Sequence, residues 1–550
     1  MRRPGSGILA GALLLLAGTG ARAQQVSARP LAAAERAYEA ARYWGDRVRL
    51  ISSLASDSTP DGVPADHTRD SLALAERRLR ALLAELEGVP LDSADRTVRT
   101  VMARALRQQE GAENPSGGEP PAVTCSDAAP ATHALPDLTA LTMACYGRAA
   151  NAVIMDGDTL NRLAVLGRLA RTGDPGARRR LFLALAPVWE SVNGDDRPDS
   201  RYRTLLRLRR AAWSAGPSPI ERKGPAVGLP VGQLEAWLVS ALSAWRRTGP
   251  DSLVEPWDWY YANGEASRRL GPRIATVAAI ERVTRAYYAT IGADLDQLGV
   301  RFDLAPRPGK YPVAYTDFGA HRRVDDAGRL RAAEPWVFAS YLEGGLDNLA
   351  ELLHESGHAI HIAAIRGRPT LADWPDNDTF TEALADLAAQ EAYEPAWQLR
   401  FLADSAPLAA SLRARYAGIM LDMAWALFEL RVHRTPEADP NRAWADITST
   451  YLGIRPHPEW SWWAMRGQLV EDPGYLINYA LGAFMVADIR ARLIALLGPG
   501  AWTDPRAYDL LSRQLYRDGL ARPSRAVLED FLGRPLSAEP LLADLRRLRP

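Results

Sequence analysis

The strongest chemical signal in the sequence is a pair of histidines four residues apart, His354 and His358, with Glu355 directly after the first. On a helix, residues four apart lie on one face, so both imidazoles can bind the same metal ion. Imidazoles at this spacing favour Zn²⁺, and the intervening carboxylate is placed to take a proton from a water molecule. The motif therefore predicts one catalytic zinc ion per chain, with His354 and His358 as ligands and Glu355 as general base.

A catalytic zinc site needs a third protein ligand, and two acidic residues downstream have suitable spacing. Glu382 follows His358 by 24 residues, and Asp386 comes one helical turn later. One face of a second helix would then present Glu382 to the metal and Asp386 to the free ring N–H of a ligand histidine. Two alternatives stay open: both carboxylates lie on an ordinary charged helix face, or the third ligand is Glu391 or Glu394.

Helical periodicity dominates the elements that must hold these residues. Apolar residues recur at spacings of three and four, whereas strand patterns are scarce. The best strand candidates lie within residues 311–341, especially Pro335 to Tyr341, shortly before the histidine motif. We therefore predict a mainly α fold with one helical domain at 24–550, of which 24–300 largely forms a cleft and 301–550 is the catalytic half. Separate domains are the alternative.

Residues 1–23 are typical of a secretory signal peptide. Arg2 and Arg3 precede an apolar stretch of about ten residues, which is too short to span a bilayer. Ala21, Arg22 and Ala23 then fit the small-x-small cleavage pattern. The sequence thus predicts an exported protein, periplasmic or secreted; the alternative is an apolar N-terminal helix.

Cysteine content and charge limit the classes of partner. In an exported chain the only two cysteines, Cys125 and Cys145, favour a disulfide, with two free thiols as the alternative. Lys+Arg and Asp+Glu are both 66, so the chain lacks the long-range field that draws proteins to nucleic acid or anionic lipid. No later stretch approaches ~18 uninterrupted apolar residues, so we expect no membrane association after signal cleavage.

With these motifs the chain resembles the helical gluzincin peptidases, and two of their families in particular. The block EPWVFASYLEGGLDNLAELLHESGHAIH (334–361) is similar to the thimet oligopeptidase and oligoendopeptidase F family. The block FTEALADLAAQEAYEP (380–395) is more similar to the angiotensin-converting enzyme family of dipeptidyl carboxypeptidases, and DPGYLINYALGAFMVADI (472–489) resembles both. The resemblance implies a large helical ellipsoid split by a deep substrate cleft, with a small edge β-sheet beside the zinc helix.

The resemblance also implies roles for individual residues. It implies that His354, His358 and Glu382 are the three zinc ligands and that Glu355 is a general base that later returns its proton. It also implies that Asp386 is the carboxylate partner of a ligand histidine and that Tyr479 is the donor to the tetrahedral oxyanion. Tyr475 is implied as a substrate contact, with ordinary packing as the alternative for both tyrosines. The strand around Phe338 and Ala339 is implied to pair with the substrate backbone.

The chain lacks two residues that these families carry. Both families carry a histidine ten or eleven residues before the oxyanion tyrosine, where this chain has Gln468 and Leu469, and Gln468 retains only the capacity to donate a hydrogen bond. The converting-enzyme family anchors the substrate carboxylate with a lysine of this segment, for which Arg466 is the nearest substitute. His361 is interpreted as a packed histidine, or one beside the ligands, rather than a ligand.

Together these features predict an exported zinc metallopeptidase that cleaves short peptides with zinc-activated water. The missing lysine favours oligopeptidase action over dipeptidyl carboxypeptidase action, which is the alternative specificity. The alternative of another class is a zinc-containing peptide-binding protein with weak catalysis, which the missing histidine favours and the intact Glu355 opposes.

Overall fold

The structure is a computed structural model that describes residues 14–112, 125, 134–155, 157–214, 218–230, 232–307, 310, 313–325 and 327–548, with side chains from residue 30 onward except 108–112. The predicted signal peptide falls partly outside this set, at residues 1–13, and the first helix begins at Leu14. The chain is 66% helical with few small sheets, which confirms the predicted fold class.

Helices form most of the described chain. Those of the first half are α1 (Leu14–Ser53), α2 (Ala65–Glu85), α3 (Ser93–Ala112), α4 (Leu135–Asn151), α5 (Arg162–Arg171), α6 (Pro175–Leu183), α7 (Ala186–Asn193), α8 (Arg201–Ala212), α9 (Pro219–Ala226), α10 (Leu234–Arg246), α11 (Trp259–Asn263), α12 (Glu265–Leu270) and α13 (Val277–Thr290). Those of the second half are α14 (Leu346–Ala364), α15 (Asp378–Ala389), α16 (Pro395–Leu402), α17 (Leu408–Arg434), α18 (Pro440–Ile447), α19 (Gln468–Glu471), α20 (Tyr475–Leu497), α21 (Ala507–Leu511), α22 (Ser524–Leu532) and α23 (Glu539–Arg546).

The strands are short. They are β1 (Val153–Met155), β2 (Asp158–Leu160), β3 (Arg301–Asp303), β4 (Tyr315–Ala320), β5 (Arg323–Val324), β6 (Leu330–Arg331) and β7 (Glu334–Phe338). One three-stranded sheet has β7 in its centre, parallel to β3 and antiparallel to β4, while β1–β2 and β5–β6 form hairpins. Strand β7 has β3 and β4 on its two sides, and the edge strand that packs on α14 is β4.

One apolar core extends from α4 to α23. The long helices α17 and α20 are buried along most of their length, as helices that are apolar on nearly every face must be. Helix α20 packs on α15, and α15 packs on α14, so the core directly supports the histidine motif. In the described chain, no helix combines the length and the apolar composition that a membrane crossing requires.

Helices α1 to α3 have a smaller apolar cluster of their own, built around Leu31, Leu79 and Met102. Polar contacts join this cluster to the rest of the chain, among them the ion pairs of Arg368 with Glu35. Sequence patterning did not reveal this separation, because the three helices have the same composition as the others.

Cys125 and Cys145 are joined by a disulfide, with their Cα atoms 5.8 Å apart. The bond ties residue 125 to the buried face of α4, on which Cys145 lies. The connecting residues 126–133 lie outside the described chain.

Candidate metal centre

The predicted ligands meet where α14 crosses α15. Nε2 of His354 lies 3.4 Å and Nε2 of His358 lies 3.7 Å from Oε2 of Glu382. All three donor atoms lie within 4.8 Å of one another. Ligands at 2.0–2.1 Å in a tetrahedron are separated by about 3.3 Å, so two imidazoles and one carboxylate at these distances fit a zinc ion with a small adjustment.

Asp386 fixes the orientation of the first ligand. Its Oδ1 lies 2.8 Å from Nδ1 of His354, which leaves Nε2 directed towards Glu382. Burial lowers the pKa of His354, but the Asp386 carboxylate outweighs burial and raises that pKa well above its ordinary value. In Glu382 burial raises the pKa, and the hydrogen bonds to His354 and His358 outweigh burial and hold the pKa well below its ordinary value. Interactions between the carboxylates and the imidazoles therefore hold the cluster together before any metal cation binds.

Gly357 allows the two helices to approach closely enough to form this cluster. A Cβ atom at this position would lie 2.3 Å from the backbone oxygen of Ala385, well inside van der Waals contact. Glycine is thus required between Glu355 and His358 by the packing of α14 on α15.

Glu355 is buried beside the cluster and is held from the sheet side. The hydroxyl of Thr316 on β4 lies 2.8 Å from Oε2 of Glu355 and 2.9 Å from its backbone oxygen. This contact fixes the carboxylate without neutralising it. Thr316 was not singled out from the sequence, although it lies in the strand candidate that precedes the histidine motif.

Two tyrosines from α20 complete one wall. The ring centroids of Tyr475 and Tyr479 are 5.3 Å apart, in an edge-to-face arrangement. Burial raises the pKa of Tyr479 well above its ordinary value, so its hydroxyl stays a proton donor. Gly474, with a φ of +91°, starts α20 and donates its N–H to Oε1 of the buried Glu429 at 2.6 Å. That bond holds the end of the helix that carries both tyrosines.

These residues line one cavity of about 640 Å³. The lining comprises the three ligands, Glu355, Asp386 and both tyrosines, together with Ala314, Tyr315, Thr316, Glu351, Trp374, Asp378, Thr381, Ala383, Asn478 and Gly482. The structure thus brings together the metal-binding residues, the predicted base and the predicted oxyanion donor. Trp374 packs on the ring of His358 at 5.5 Å, and no sequence motif pointed to it.

Phe338 and Ala339 are not part of the cavity lining, and their role as substrate contacts stays a prediction. Their exposed fractions are only 1% and 0%, and Phe338 stacks on Tyr315 of the neighbouring strand at 4.9 Å. The physical reason is the central position of β7, whose backbone already pairs on both sides. The cavity wall is instead formed by Ala314, Tyr315 and Thr316 at the start of the edge strand β4.

Other predicted contacts also lie apart from the cavity lining. Gln468, in α19, is half-buried and is not part of the lining. Arg466 is paired with Asp422 at 2.5 Å and lies 5.6 Å from the ring centroid of Tyr479, so it supports that ring from behind. Neither side chain reaches the space that a substrate carboxylate would occupy beside the ligands.

The rival third ligands and His361 are engaged elsewhere. Glu391 is paired with Arg490, and Glu394 is paired with Arg547 at 2.8 Å. His361 is fully buried between aromatic rings, and burial lowers its pKa to about 3. Its interpretation as a packed histidine therefore agrees with its surroundings.

The fold is shared with solved peptidase structures over nearly the whole chain. A putative oligoendopeptidase F matches with a TM-score of 0.54 and 15% identity, covering 92% of this chain and 96% of that one. The M32 carboxypeptidase from Deinococcus radiodurans R1 matches with a TM-score of 0.52 and 17% identity, covering 94% and 97%. Trypanosoma cruzi metallocarboxypeptidase 1 matches with a TM-score of 0.50 and 15% identity, covering 94% and 99%.

No family model matches the chain, and no curated protein matches it either. The structural likenesses establish a metallopeptidase fold, which confirms the predicted resemblance at the level of the fold.

Proposed function

We propose that this chain is an exported zinc metallopeptidase that hydrolyses short peptides. The observation that carries the proposal is the cluster of His354, His358 and Glu382 in one cavity with the unneutralised carboxylate of Glu355. When bound there, a zinc ion would polarise the scissile carbonyl and lower the pKa of water towards ~7. The remaining steps belong to side chains of the chain itself.

Glu355 acts first as base and then as acid. Its carboxylate, held by Thr316, takes a proton from the attacking water and then returns that proton to the leaving amine. A carboxylate that only shaped a binding site would not need burial beside the three proposed ligands. This residue therefore supports an enzyme over the second candidate, a zinc-containing peptide-binding protein.

Tyr479 donates a hydrogen bond from its hydroxyl to the oxyanion that develops on the scissile carbonyl oxygen. Its raised pKa keeps the donor protonated at neutral pH. Such a donor contributes about 3–4 kcal/mol to transition-state stabilisation.

The start of β4 is the proposed docking edge for substrate backbone. Ala314 and Tyr315 line the cavity on the edge strand, directly before the residue that holds Glu355. An extended peptide can add to such an edge through main-chain hydrogen bonds, which requires no particular side chain.

Dipeptidyl carboxypeptidase action is the less favoured specificity. It needs a cation near the ligands to hold the substrate carboxylate, and in the described chain neither arginine nor lysine lines the cavity. Arg466, the nearest substitute by sequence, is paired with Asp422. We therefore favour cleavage within short peptides.

Export is supported by two independent features. Residues 1–23 have the charge, apolar length and cleavage pattern of a signal peptide, and Cys125 is disulfide-bonded to Cys145, which suits an oxidising compartment. Sequencing the N-terminus of the protein recovered from a secretion-competent host tests cleavage after Ala23.

The activity is tested with an internally quenched peptide library and mass spectrometry of the products. Hydrolysis that disappears with a chelator and returns with zinc is the expected result, and internal cleavage of peptides with an amidated C-terminus is expected as well. Absence of chelator-sensitive hydrolysis in the zinc-loaded protein would favour the peptide-binding alternative.

A further inference from the structure

The cavity wall carries more negative charge than the metal chemistry uses. Five carboxylates line the cavity, and three of them already have roles: Glu355, Glu382 and Asp386. The other two are Glu351 and Asp378, and both side chains are exposed to the cavity solvent. A divalent cation offsets only two negative charges, so the cavity wall keeps more carboxyl groups than the metal requires, although burial raises the pKa of Glu351.

Glu351 and Asp378 lie at opposite ends of the ligand cluster. His354 contacts Asp386 and the later His358 contacts the earlier Glu382, so α14 and α15 run antiparallel across the site. Glu351 precedes His354 by one turn of α14, and Asp378 precedes Glu382 by one turn of α15. Each carboxylate is therefore roughly 5 Å along its helix from the nearest ligand, in opposite directions.

Neither carboxylate is neutralised from within the protein. Arginine pairs with acidic residues throughout this chain, and even Asp422 behind the cavity is paired with Arg466. By contrast, no ion pair joins Glu351 or Asp378 to a cation of the described chain. Charges that face a concave, water-filled space without an internal partner are available to a ligand.

The surroundings of Asp378 suit a planar cation. Trp374 and Tyr475 both line the cavity, and Tyr475 lies close enough to Asp378 for its pKa to be affected by that charge. A guanidinium can bind a carboxylate and stack on an aromatic ring at the same time, whereas a lysine ammonium does so less well.

We propose that the cavity selects cationic peptides, with Glu351 and Asp378 binding basic side chains, preferably arginine, on the two sides of the scissile bond. This proposal rests on the proposed peptidase function, since the scissile bond is placed at the ligand cluster. It also predicts that acidic peptides and free C-terminal carboxylates are disfavoured near the cluster, because they meet like charge and no basic partner.

The test compares arginine with citrulline, which has nearly the same shape without the charge. The cleaved bond of a neutral quenched peptide is first mapped by mass spectrometry, and arginine or citrulline is then placed on either side of that bond. We expect kcat/KM to favour arginine by about tenfold or more at low salt, and the ratio to fall as screening increases. Equal kcat/KM for both peptides would overturn the proposal.

Two variants locate the preference. Glu351→Gln should lower the arginine/citrulline ratio at one side of the bond, and Asp378→Asn should lower it at the other. Glu87→Gln, which removes an exposed carboxylate of the chain that does not line the cavity, should keep the wild-type ratio at both sides. If the Glu351→Gln/Asp378→Asn double variant keeps the wild-type arginine/citrulline ratio of kcat/KM, the preference comes from other residues and the proposal is overturned.

A binding measurement separates this proposal from the proposed function. Fluorescence polarisation of labelled arginine and citrulline peptides on zinc-loaded Glu355→Gln protein does not depend on turnover. Tighter binding of the arginine peptide, lost in the Glu351→Gln/Asp378→Asn background, supports cationic selection even if no peptide is cleaved. Equal binding of the arginine and citrulline peptides, together with active hydrolysis by the wild type, would support the proposed peptidase function and overturn the proposed selectivity for cationic peptides.

Discussion

At the scale of single residues, the proposed metal ligands are separate from the proposed general base. The donor atoms of His354, His358 and Glu382 face one another, whereas Glu355 is directed by Thr316 and lies outside that set. The two proposed roles can therefore be separated by substitution, because replacing Glu355 leaves the three proposed ligands in place.

Glu355→Gln is expected to keep zinc and to lose hydrolysis. The amide retains the shape of the side chain but cannot accept the proton of the attacking water, so kcat/KM should fall by about 10²–10⁴-fold. Zinc content by mass spectrometry and hydrolysis of a quenched peptide are measured on the same sample. Glu382→Gln is the matched control and should lose zinc; full activity in Glu355→Gln would remove its role as base.

Tyr479→Phe is expected to lower kcat with little change in KM, since the hydroxyl acts on charge that develops in the transition state. A loss of about 10²-fold or more fits one oxyanion donor. Tyr475→Phe removes the neighbouring hydroxyl of the same α20 wall and should have a smaller effect. If the two variants lose equal activity, Tyr479 has no special role.

The residues with specific chemistry and their partner Asp386 were predictable from the sequence, whereas other residues that contact them were not. His354, Glu355 and His358 form a pattern whose spacing reflects one helix face, so local geometry suffices. Thr316 and Trp374 reach the site from a strand and a loop that are distant in sequence, and no local spacing encodes such contacts.

At the scale of elements, the close crossing of α14 and α15 determines whether the ligands meet. Gly357→Ala would place a Cβ atom 2.3 Å from the backbone oxygen of Ala385, and overpacking of this kind costs about 1–3 kcal/mol. We expect lower thermal stability together with weaker zinc binding, measured by competition with a chromophoric chelator.

Gly418→Ala is the matched control for this substitution. Gly418 lies in α17 with open space around its Cβ position, so alanine there should stabilise the protein by about 0.5–1 kcal/mol and leave zinc affinity unchanged. Wild-type zinc affinity in Gly357→Ala would contradict the argument that this crossing sets the ligand geometry.

The sheet shows why element type was easier to predict than element position. The strand content of residues 335–338 was predicted correctly, because the apolar residues of β7 have strand character. Its place in the sheet depends on pairing with Arg301–Asp303 and Tyr315–Ala320, which are separated from it by loops. Burial on both faces is compatible with an edge and with a centre, so pattern alone did not decide between them.

At the scale of the whole molecule, the N-terminal helices are joined to the catalytic half through a buried charged cluster. His321 at the end of β4 lies 2.8 Å from Asp46 of α1 and 3.2 Å from Asp373, which directly precedes Trp374. Arg42 and Arg49 of α1 lie around the same cluster. One histidine thus links α1, the edge strand and the loop that carries a wall of the cavity.

The cluster makes this attachment dependent on pH. Burial lowers the pKa of His321, but Asp46 and Asp373 outweigh burial and raise it above its ordinary value of 6.5. A raised pKa in the folded state means that the charged imidazole stabilises the fold below about pH 6.5, and that this contribution is lost as pH rises through the folded-state pKa. The pKa of Asp373 is lowered, because His321 and Arg42 outweigh burial, so Asp373 remains charged across this range.

The free energy of unfolding of wild type and His321→Asn should therefore differ more at pH 6 than at pH 9. Removing one partner of a buried ion pair costs about 3–5 kcal/mol, which is the expected difference at pH 6. Urea unfolding of zinc-saturated protein at both pH values gives the comparison. Wild type and His321→Asn must be compared at the same pH, because burial also raises the pKa of Glu429 to about 8. That raised pKa lowers the free energy of unfolding of both proteins as pH rises from 4.5.

His67→Asn, at an exposed position of α2, is the matched control and should cost little at either pH. If His321→Asn loses the same free energy at pH 6 and pH 9, deprotonation of His321 does not weaken this attachment over that pH range. If the loss shrinks towards pH 9, the cleft wall at β4 and Trp374 is held by a charge that alkaline conditions remove. Peptidase activity of wild type should then become more sensitive to urea at pH 9 than at pH 6, because the wall of the cavity loses its support before the apolar core does.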